Sequence, residues 1–265
     1  MSDQVDSTER IAGDAGPQRV RLDYPNGEIW IYVTSRMEEQ WRARSCAKEP
    51  WTVSWIETHI GPGDVLYDIG ANVGTFSLVA ARRGASVVAF EPGYANFARL
   101  CENIQLNGCH RSIIPLPFPV AEASGLVGFK YRTLDPGQSR HGLRQEAWRP
   151  KGGAPGAKYE QPVCAMQLDE AIERFRLPAP SHIKIDVDGA EGRVLAGARR
   201  VLRLPRLKTA LIEVDPPLWD SVLGTMTDAG FGLAAQYGHR KPDAPFYGLF
   251  VRPEKPARRR WMLWK

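Results

Sequence analysis

The stretch VLYDIGANVGTFSL, residues 65–78, runs from a strand-like apolar segment through two glycines into a helix-like apolar segment. A strand, a glycine-bearing turn and a helix in this order are typical of a doubly wound parallel sheet, in which the turn lies beside a nucleotide. Asn72 stands where a dinucleotide fingerprint would carry its second glycine. The ligand of this turn must therefore be inferred from its acidic residues and from the next strand.

Two carboxylates narrow the choice of ligand. Glu91 ends the second predicted strand, about 20 residues beyond Gly70, where a carboxylate can accept hydrogen bonds from both hydroxyls of an adenosine ribose. Asp68 lies in the turn, where it would repel a phosphate but suits the ammonium group of an amino acid. With only Gly70 and Gly74 to allow close backbone approach, the turn lacks the spacing for a pyrophosphate. The pattern predicts S-adenosylmethionine as the cofactor.

Short apolar runs alternate with segments of helical period along the whole chain, which is the pattern of a parallel sheet wound with helices. The run 113–120 contains Pro115, Pro117 and Pro119, which cannot donate ladder hydrogen bonds. We therefore expect this third strand at an edge of the sheet. The fold class is α/β, and the predicted strands are 65–69, 87–91, 113–120, 183–187, 210–214, 231–237 and 246–252.

The segments outside this pattern suggest three parts. Residues 1–50 are predicted to form an N-terminal cap, with a partly disordered start, a hairpin arm at 25–33 and a tryptophan-rich helical stretch. Residues 51–253 form the main domain, interrupted at 135–162 by a Gly- and Pro-rich loop that is either a mobile lid or a disordered insertion. Residues 254–265 form a basic tail, either a packed or solvated end or a contact to a membrane surface or partner.

Composition excludes several classes of protein. No apolar run of about 18 residues is present and the polar start lacks a signal-peptide core, so we expect a soluble, cytoplasmic protein. The four cysteines show no CxxC pair and no zinc spacing, which favours reduced thiols. The five histidines, including His141 and His239, form no pattern and receive no role. Much of the net charge of +5 lies in local clusters such as 258–260, so no nucleic-acid partner is expected.

The segment HIKIDVDGAEGRVLAGARRVL, 182–202, sharpens the assignment. Together with YDIGANVGTFSL and FEPGYANFARLCENIQLNG it resembles the FkbM-like family of class I methyltransferases, over about residues 49–215. The resemblance implies a Rossmann-like sheet of seven mostly parallel strands in the order 3-2-1-4-5-7-6, the seventh antiparallel, with helices on both faces. It also implies transfer of a methyl group from S-adenosylmethionine to a hydroxyl of a sugar, glycolipid or secondary metabolite. The cofactor-binding residues would be Asp68, Gly70, Asn72, Gly74, Glu91 and Pro92, with the adenine contacted near Ala121 or Glu122.

Three acidic residues at the end of the fourth strand are candidate catalytic residues: Asp186, Asp188 and Glu191. An acceptor hydroxyl must lose its proton, which requires a carboxylate base acting late or an acidifying metal ion. Asp186 ends a buried strand, where a carboxylate needs either a function or a partner such as Lys184. Asp188 and Glu191 have helix capping as the structural alternative. Asp186 and Glu213 are candidate ligands for a divalent metal such as Mg²⁺, with metal dependence left open.

Other functions are weighed against this one. The alternative class is a noncatalytic protein that binds S-adenosylmethionine or acts as a scaffold. A nicotinamide oxidoreductase is disfavoured because the third glycine and a Tyr-x-x-x-Lys pair after the fourth strand are missing. The segment DPPLW, 215–219, resembles a motif of nucleic-acid methyltransferases, but it follows the fifth strand and is interpreted as a proline turn. The acceptor would be a small molecule or glycan, and the oligomeric state is left open.

Overall fold

The computed structural model describes residues 16–139, 141–147, 159–238 and 244–253. The helices are α1 (Arg36–Arg42), α2 (Ser45–Lys48), α3 (Pro50–His59), α4 (Thr75–Arg82), α5 (Tyr94–Leu106), α6 (Leu168–Phe175), α7 (Glu191–Ala196) and α8 (Trp219–Asp228). The strands are β1 (Gln18–Arg21), β2 (Trp30–Val33), β3 (Val65–Ile69), β4 (Ser86–Phe90), β5 (Ile113–Leu116), β6 (Gly125–Tyr131), β7 (Gly142–Ala147), β8 (Tyr159–Ala165), β9 (His182–Ile185), β10 (Thr209–Val214), β11 (Gly232–Gly238) and β12 (Phe246–Val251).

Seven of these strands form the central sheet, in the order β11-β12-β10-β9-β3-β4-β5. The strands β10, β9, β3, β4 and β5 are parallel, and β12 is antiparallel to both of its neighbours. This is the predicted order, with the seventh strand inserted antiparallel between the fifth and the sixth. The α/β fold class and the sheet topology are therefore confirmed.

The strands are buried on both faces, which explains why their sequences are continuous apolar runs. All five residues of β3 are buried. Leu66 belongs to one core cluster and Tyr67 to another, on opposite faces of the sheet. Burial of each such side chain stabilises the fold by about 1.5–3 kcal/mol.

The third strand lies at a sheet edge, as its prolines predict, but it is shorter than expected. Strand β5 ends at Leu116, and the predicted continuation to residue 120 turns away from the sheet. Met166 donates a backbone hydrogen bond to the carbonyl of Pro119, and Ala121 donates one to the carbonyl of Met166. The segment after β5 therefore pairs with the chain beyond β8 instead of prolonging the central sheet.

The hairpin predicted near the N-terminus is confirmed as β1 and β2, an antiparallel pair. Strand β2 is held on its other edge by side chains of α5. The backbone N–H groups of Trp30 and Tyr32 donate to the Oδ1 atoms of Asn107 and Asn103, at 2.9 and 2.8 Å. Because Asn103 and Asn107 lie four residues apart on one helix face, they match alternate residues of a strand. The hairpin is thereby attached to the helix that follows β4, while the domain boundary at residue 50 stays a prediction.

A second, three-stranded antiparallel sheet follows β5, in the order β7-β6-β8. The prediction of a lid or disordered loop over 135–162 is wrong for β7 and for the start of β8. Val127, Phe129 and Tyr131 of β6 alternate with other residues and form the small core of this sheet. Its Gly- and Pro-containing strands, exposed on one face, lack the continuous apolar runs that identify the central strands. Residue 140 and residues 148–158 lie outside the described residues.

The remaining predictions have mixed outcomes. All four cysteines are free. The residues Pro216–Leu218 form a short 3₁₀ turn after β10, which confirms the proline-turn interpretation of DPPLW. Within the described ranges, no helix is both long and apolar enough to cross a membrane. The basic tail 254–265 and His239 lie outside the described residues.

A glycine substitution tests the packing of the β3–α4 turn. Gly70 has a φ of +88°, and a Cβ at this position would lie 1.9 Å from the carbonyl oxygen of Asp186. We expect Gly70→Ala to reduce the free energy of unfolding by at least about 2 kcal/mol, from left-handed strain and this clash. Gly224→Ala is the matched control, since Gly224 lies within α8 with open space around it. It should increase stability by up to about 1 kcal/mol in urea titrations. Equal stability of the Gly70 variant and the wild type would refute this packing argument.

Candidate active site

A cleft of about 930 Å³ opens at the carboxyl ends of the central strands. Its walls include the turns that follow β3, β4 and β9, together with residues of α1 and of the second sheet. The carboxyl edge of a parallel sheet is where small-molecule sites occur in such folds. The predicted cofactor residues therefore have to be judged by what they present to this cleft.

The β3–α4 turn is built from three residues in the left-handed region, Gly70, Asn72 and Gly74. At each glycine, a side chain would come too close to a neighbouring residue of the protein. A Cβ on Gly70 would meet the backbone of Asp186, and one on Gly74 would lie 2.5 Å from Cδ1 of Leu100. Asparagine tolerates the left-handed conformation better than most residues, which explains why Asn72 can replace the second glycine.

Asn72 also connects the turn to its surroundings. Its backbone N–H donates to Oε2 of Glu91 at 2.8 Å, and its Nδ2 donates to the carbonyl of Gln138 at 2.7 Å. Gln138 follows β6 and lies in the segment predicted to be a lid or disordered loop. That same carbonyl accepts a hydrogen bond from Nδ2 of Asn96 at 3.1 Å. The start of this segment is thus ordered against the predicted cofactor turn.

Asp68 presents an incompletely satisfied carboxylate to the cleft. Oδ2 accepts a hydrogen bond from the Ser77 hydroxyl at 2.6 Å, whereas Oδ1 is buried without a hydrogen-bond partner. Burial raises the pKa of Asp68, while the nearby Lys184 ammonium opposes that shift. Buried polar atoms are normally paired, so an orphaned oxygen at a cleft wall fits a cationic ligand group. The ammonium group of S-adenosylmethionine meets this requirement.

Glu91 is buried and held in place by three N–H donors. In addition to Asn72, the backbone N–H of Gly93 donates to Oε1 at 2.8 Å, and Nδ2 of Asn96 donates to it at 3.4 Å. Burial raises the pKa of Glu91 to about 7, against the effect of these hydrogen bonds. A carboxylate has about four acceptor positions, so there remains capacity for a ligand hydroxyl. Pro92, the next residue, also lines the cleft.

The predicted adenine contacts do not reach the cleft. Ala121 is fully buried and its backbone N–H is bonded to Met166. Glu122 accepts a 2.6 Å hydrogen bond from Arg193 on the outside of the cleft wall. Because the chain turns away after β5, the residues just before Ala121 form this wall instead. The apolar residues lining this part of the cleft are Phe118, Pro119, Val120, Phe129 and Leu143.

Asp186 lies directly after β9 and is the centre of a buried polar cluster. Its Oδ2 accepts hydrogen bonds from Nζ of Lys184 at 2.6 Å and from the Tyr247 hydroxyl at 3.1 Å. Both residues line the cleft, but the side chain of Asp186 is 25% exposed and that of Lys184 only 2%, so Asp186 is the more accessible of the two. Burial would raise the pKa of Asp186, but the Lys184 ammonium outweighs that effect and lowers it. The predicted partnership of Asp186 with Lys184 is therefore present.

The two candidate metal ligands, Asp186 and Glu213, differ in the direction of their pKa shifts. Burial and the neighbouring Asp186 raise the pKa of Glu213, which is hydrogen-bonded to Asp186. A neutral Glu213 and the Lys184 ammonium leave little negative charge for a cation at this point. Among the residues that the structure describes, no group of three or more His, Cys, Asp or Glu side chains is arranged to hold a metal ion.

The other two candidate catalytic residues differ in position. Asp188 lines the cleft in a left-handed conformation, with a φ of +52°. Glu191 is the first residue of α7, and its Oε1 accepts a hydrogen bond from the backbone N–H of Gly189 at 2.9 Å. Burial raises the pKa of Glu191 to about 7. Asp186 and Asp188 line the cleft. Glu191 is not among the lining residues, which fits the structural alternative for this side chain.

Several cleft residues carry no signal in the sequence. Glu49, at the start of α3, accepts a hydrogen bond from the Tyr247 hydroxyl at 3.1 Å. His141 lines the cleft, its Nδ1 accepts from the Arg132 N–H at 3.2 Å, and burial lowers its pKa to about 4. Arg42, in the last turn of α1, reaches the cleft from the N-terminal segment. Such residues come from segments without a readable motif.

Comparison with known proteins gives the family. The model of the methyltransferase FkbM domain matches residues 68–233, which is more than half of the chain. The hexuronic acid methyltransferase AglP of Haloferax volcanii is 27% identical over 172 residues, and the match spans 65% of either chain, slightly less than two thirds of that relative. The 31-O-demethyl-FK506 methyltransferase FkbM of Streptomyces tacrolimicus is 29% identical over 245 residues, covering 81% of this chain and 90% of that one.

A solved structure supports the fold alone. Magnesium protoporphyrin IX methyltransferase (ChlM) from Synechocystis PCC 6803, determined with bound SAM, superposes with a TM-score of 0.50 at 12% identity. The superposition covers 83% of this chain and 86% of that one. With the cleft at the carboxyl edge of the same type of sheet and the family model spanning it, the chain belongs to the FkbM methyltransferase-domain family.

Proposed function

We propose that this protein is an S-adenosylmethionine-dependent O-methyltransferase that acts on a hydroxyl of a sugar, glycolipid or secondary metabolite. The observation that carries the proposal is the placement of three carboxylates near the carboxyl edge of the sheet, on the neighbouring strands β9, β3 and β4. Asp186 and Glu91 directly follow their strands, and Asp68 lies two residues before that level in β3. Neighbouring strands are about 4.8 Å apart, so the strand ends that precede Asp186 and Glu91 are separated by roughly 10 Å. That spacing suits a ligand with a ribose at one end and a reacting group at the other.

The cofactor would be held by residues with distinct chemical tasks. Glu91 would accept a hydrogen bond from a ribose hydroxyl, and the unpartnered Oδ1 of Asp68 would accept one from the ammonium group. The apolar wall around Phe118 and Val120 would contact the adenine. Bound there, S-adenosylmethionine supplies a methyl group on a positively charged sulfur.

Asp186 is assigned the role of the base that takes the proton from the acceptor hydroxyl. When a hydroxyl oxygen bonds to a methyl group it gains positive charge, and its proton becomes far more acidic than that of a free alcohol. A carboxylate with a lowered pKa is then basic enough to take the proton late in the reaction. Lys184 and Tyr247 fix the orientation of Asp186, so that the acceptor hydroxyl is aligned before it reacts. Because Lys184 already supplies positive charge here, we expect no Mg²⁺ requirement.

The names of the two relatives support the acceptor classes. One relative is named for a hexuronic acid and the other for a demethylated form of FK506. A sugar and a secondary metabolite are therefore the first acceptors to test. Release of S-adenosylhomocysteine in a panel of neutral sugars, uronic acids and hydroxylated polyketides measures the activity. Cofactor binding without turnover across the panel would favour a noncatalytic or scaffold role.

The pH dependence of cofactor binding tests the role of Glu91. Ribose hydroxyls donate to the ionised carboxylate, and with a pKa of about 7 Glu91 becomes protonated as the pH falls below neutrality. We expect the affinity for S-adenosylhomocysteine to fall about tenfold from pH 8 to pH 6, as measured by calorimetry. Glu91→Gln should abolish this dependence. Glu191→Gln is the control and should retain the pH dependence. The pKa of Glu191 is also raised to about 7, but this residue does not line the cleft. A pH-independent affinity in the wild type would refute the ribose assignment.

Substitution of Asp186 tests the catalytic assignment. We expect Asp186→Asn to lower turnover by about 10²-fold or more while the affinity for S-adenosylhomocysteine changes less than about threefold. The variant leaves the buried Lys184 without its main partner, which costs about 3–5 kcal/mol of stability. The double variant Lys184→Met, Asp186→Asn removes both charges and controls for that loss. EDTA should leave the wild-type rate unchanged. Normal turnover in the Asn variant would reduce Asp186 to a structural partner of Lys184.

A further inference from the structure

Arg42 places a positive charge on the wall of the cleft. It lies in the last turn of α1, and its Nε donates a hydrogen bond to the backbone carbonyl of Gly137 at 2.6 Å. Within the described part of the chain, its guanidinium forms no ion pair with a carboxylate. Arg99 of α5, in contrast, is paired with two carboxylates. It forms ion pairs with Glu38 of α1 at 2.6 Å and with Glu102 at 2.8 Å. Among the described residues, Arg42 therefore differs from Arg99 in lining the cleft without a carboxylate partner.

Three acidic residues of the cleft are hydrogen-bonded to groups other than Arg42. Asp186 is bonded to Lys184 and Tyr247, Glu49 is bonded to Tyr247, and Glu91 is bonded to three N–H donors. Burial lowers the pKa of Arg42, although these acids oppose that shift from a distance. A cation that is partly withdrawn from water is stabilised by a counter-ion. A guanidinium presents a planar fork of donors that matches a carboxylate in two parallel hydrogen bonds.

Arg42 is also fixed in position by the surrounding hydrogen bonds. The backbone N–H of Gly137 donates to Oδ1 of Asn96 at 2.8 Å, and the next carbonyl, of Gln138, accepts from Asn72 and Asn96. Through Asn72, these bonds connect the segment that holds the guanidinium to the β3–α4 turn. A group that is oriented before the ligand arrives binds with a smaller entropic cost.

We propose that Arg42 is the carboxylate-binding residue of this cleft. The inference rests on the proposed function, and the carboxylate belongs either to the amino-acid end of the cofactor or to an acidic acceptor. In both cases the ligand group completes the hydrogen bonding of the guanidinium. Two comparisons distinguish these sources, each between a ligand that carries a carboxylate and a ligand that lacks it.

The first comparison uses S-adenosylhomocysteine and 5′-methylthioadenosine, which contains the adenosine but no carboxylate. Arg42→Gln retains an amide donor for Gly137, and Arg36→Gln, on the exposed side of the same helix, is the matched control. If the cofactor supplies the carboxylate, Arg42→Gln weakens S-adenosylhomocysteine binding by about tenfold or more in calorimetry. Binding of 5′-methylthioadenosine stays within about threefold, which also shows that the variant is folded and its adenosine site intact. Arg42→Lys should recover part of the loss, since it keeps the charge without the fork.

The second comparison uses glucuronate and glucose on protein saturated with S-adenosylhomocysteine. If the acceptor supplies the carboxylate, the wild type prefers glucuronate, and Arg42→Gln loses that preference while its S-adenosylhomocysteine affinity is unchanged. The proposal is overturned if the variant matches the wild type for S-adenosylhomocysteine and no glucuronate preference is lost. A wild-type protein that binds neither S-adenosylhomocysteine nor 5′-methylthioadenosine would instead refute the proposed function, and the inference with it.

Discussion

Lys184 puts an ammonium group inside the central sheet, and the surrounding structure compensates for it. A buried ion costs several kcal/mol unless it is paired and hydrogen-bonded. Asp186 accepts its hydrogen bond at 2.6 Å, Asp68 and Glu49 contribute further negative charge, and the ring of Phe76 lies 5.3 Å away. Because these groups come from different strands and from α3, a single charge fixes the relative positions of the candidate cofactor and acceptor residues.

The same charge explains the protonation of its neighbours. Lys184 lowers the pKa of Asp186, and burial together with the neighbouring Asp186 raises that of Glu213. The hydrogen bonds that Asp186 accepts from Lys184 and Tyr247 give its carboxylate a defined orientation, since each hydrogen bond restricts the next. Tyr247 extends this network to Glu49. The network thus joins β12 to the start of α3.

The elements that could be predicted from sequence are those whose local pattern of apolar and polar residues matches their surroundings in the folded protein. Strands such as β3 are buried on both faces, so their apolar runs identify them, and Asp68, Glu91 and Asp186 follow from their positions at strand ends. The second sheet was missed because strands exposed on one face leave a weak alternating pattern. Glu49 and Tyr247 were missed for another reason: they meet across 198 positions of sequence, and no local pattern records such a contact. Ala121 was misplaced because the chain leaves the sheet soon after Pro115.

The cleft therefore has two kinds of wall with different origins. The side proposed for the cofactor is set by strand ends and by the β3–α4 turn, whose glycines are required by protein neighbours at fixed distances. The opposite side comes from α1, α3 and the second sheet, through Arg42, Glu49 and Gln138. Loops and added segments on a rigid scaffold can vary without disturbing its core. Since Gln138 is bonded to Asn72, the two walls are nevertheless in direct contact, and this hydrogen bond links the position of the variable segment to that of the β3–α4 turn.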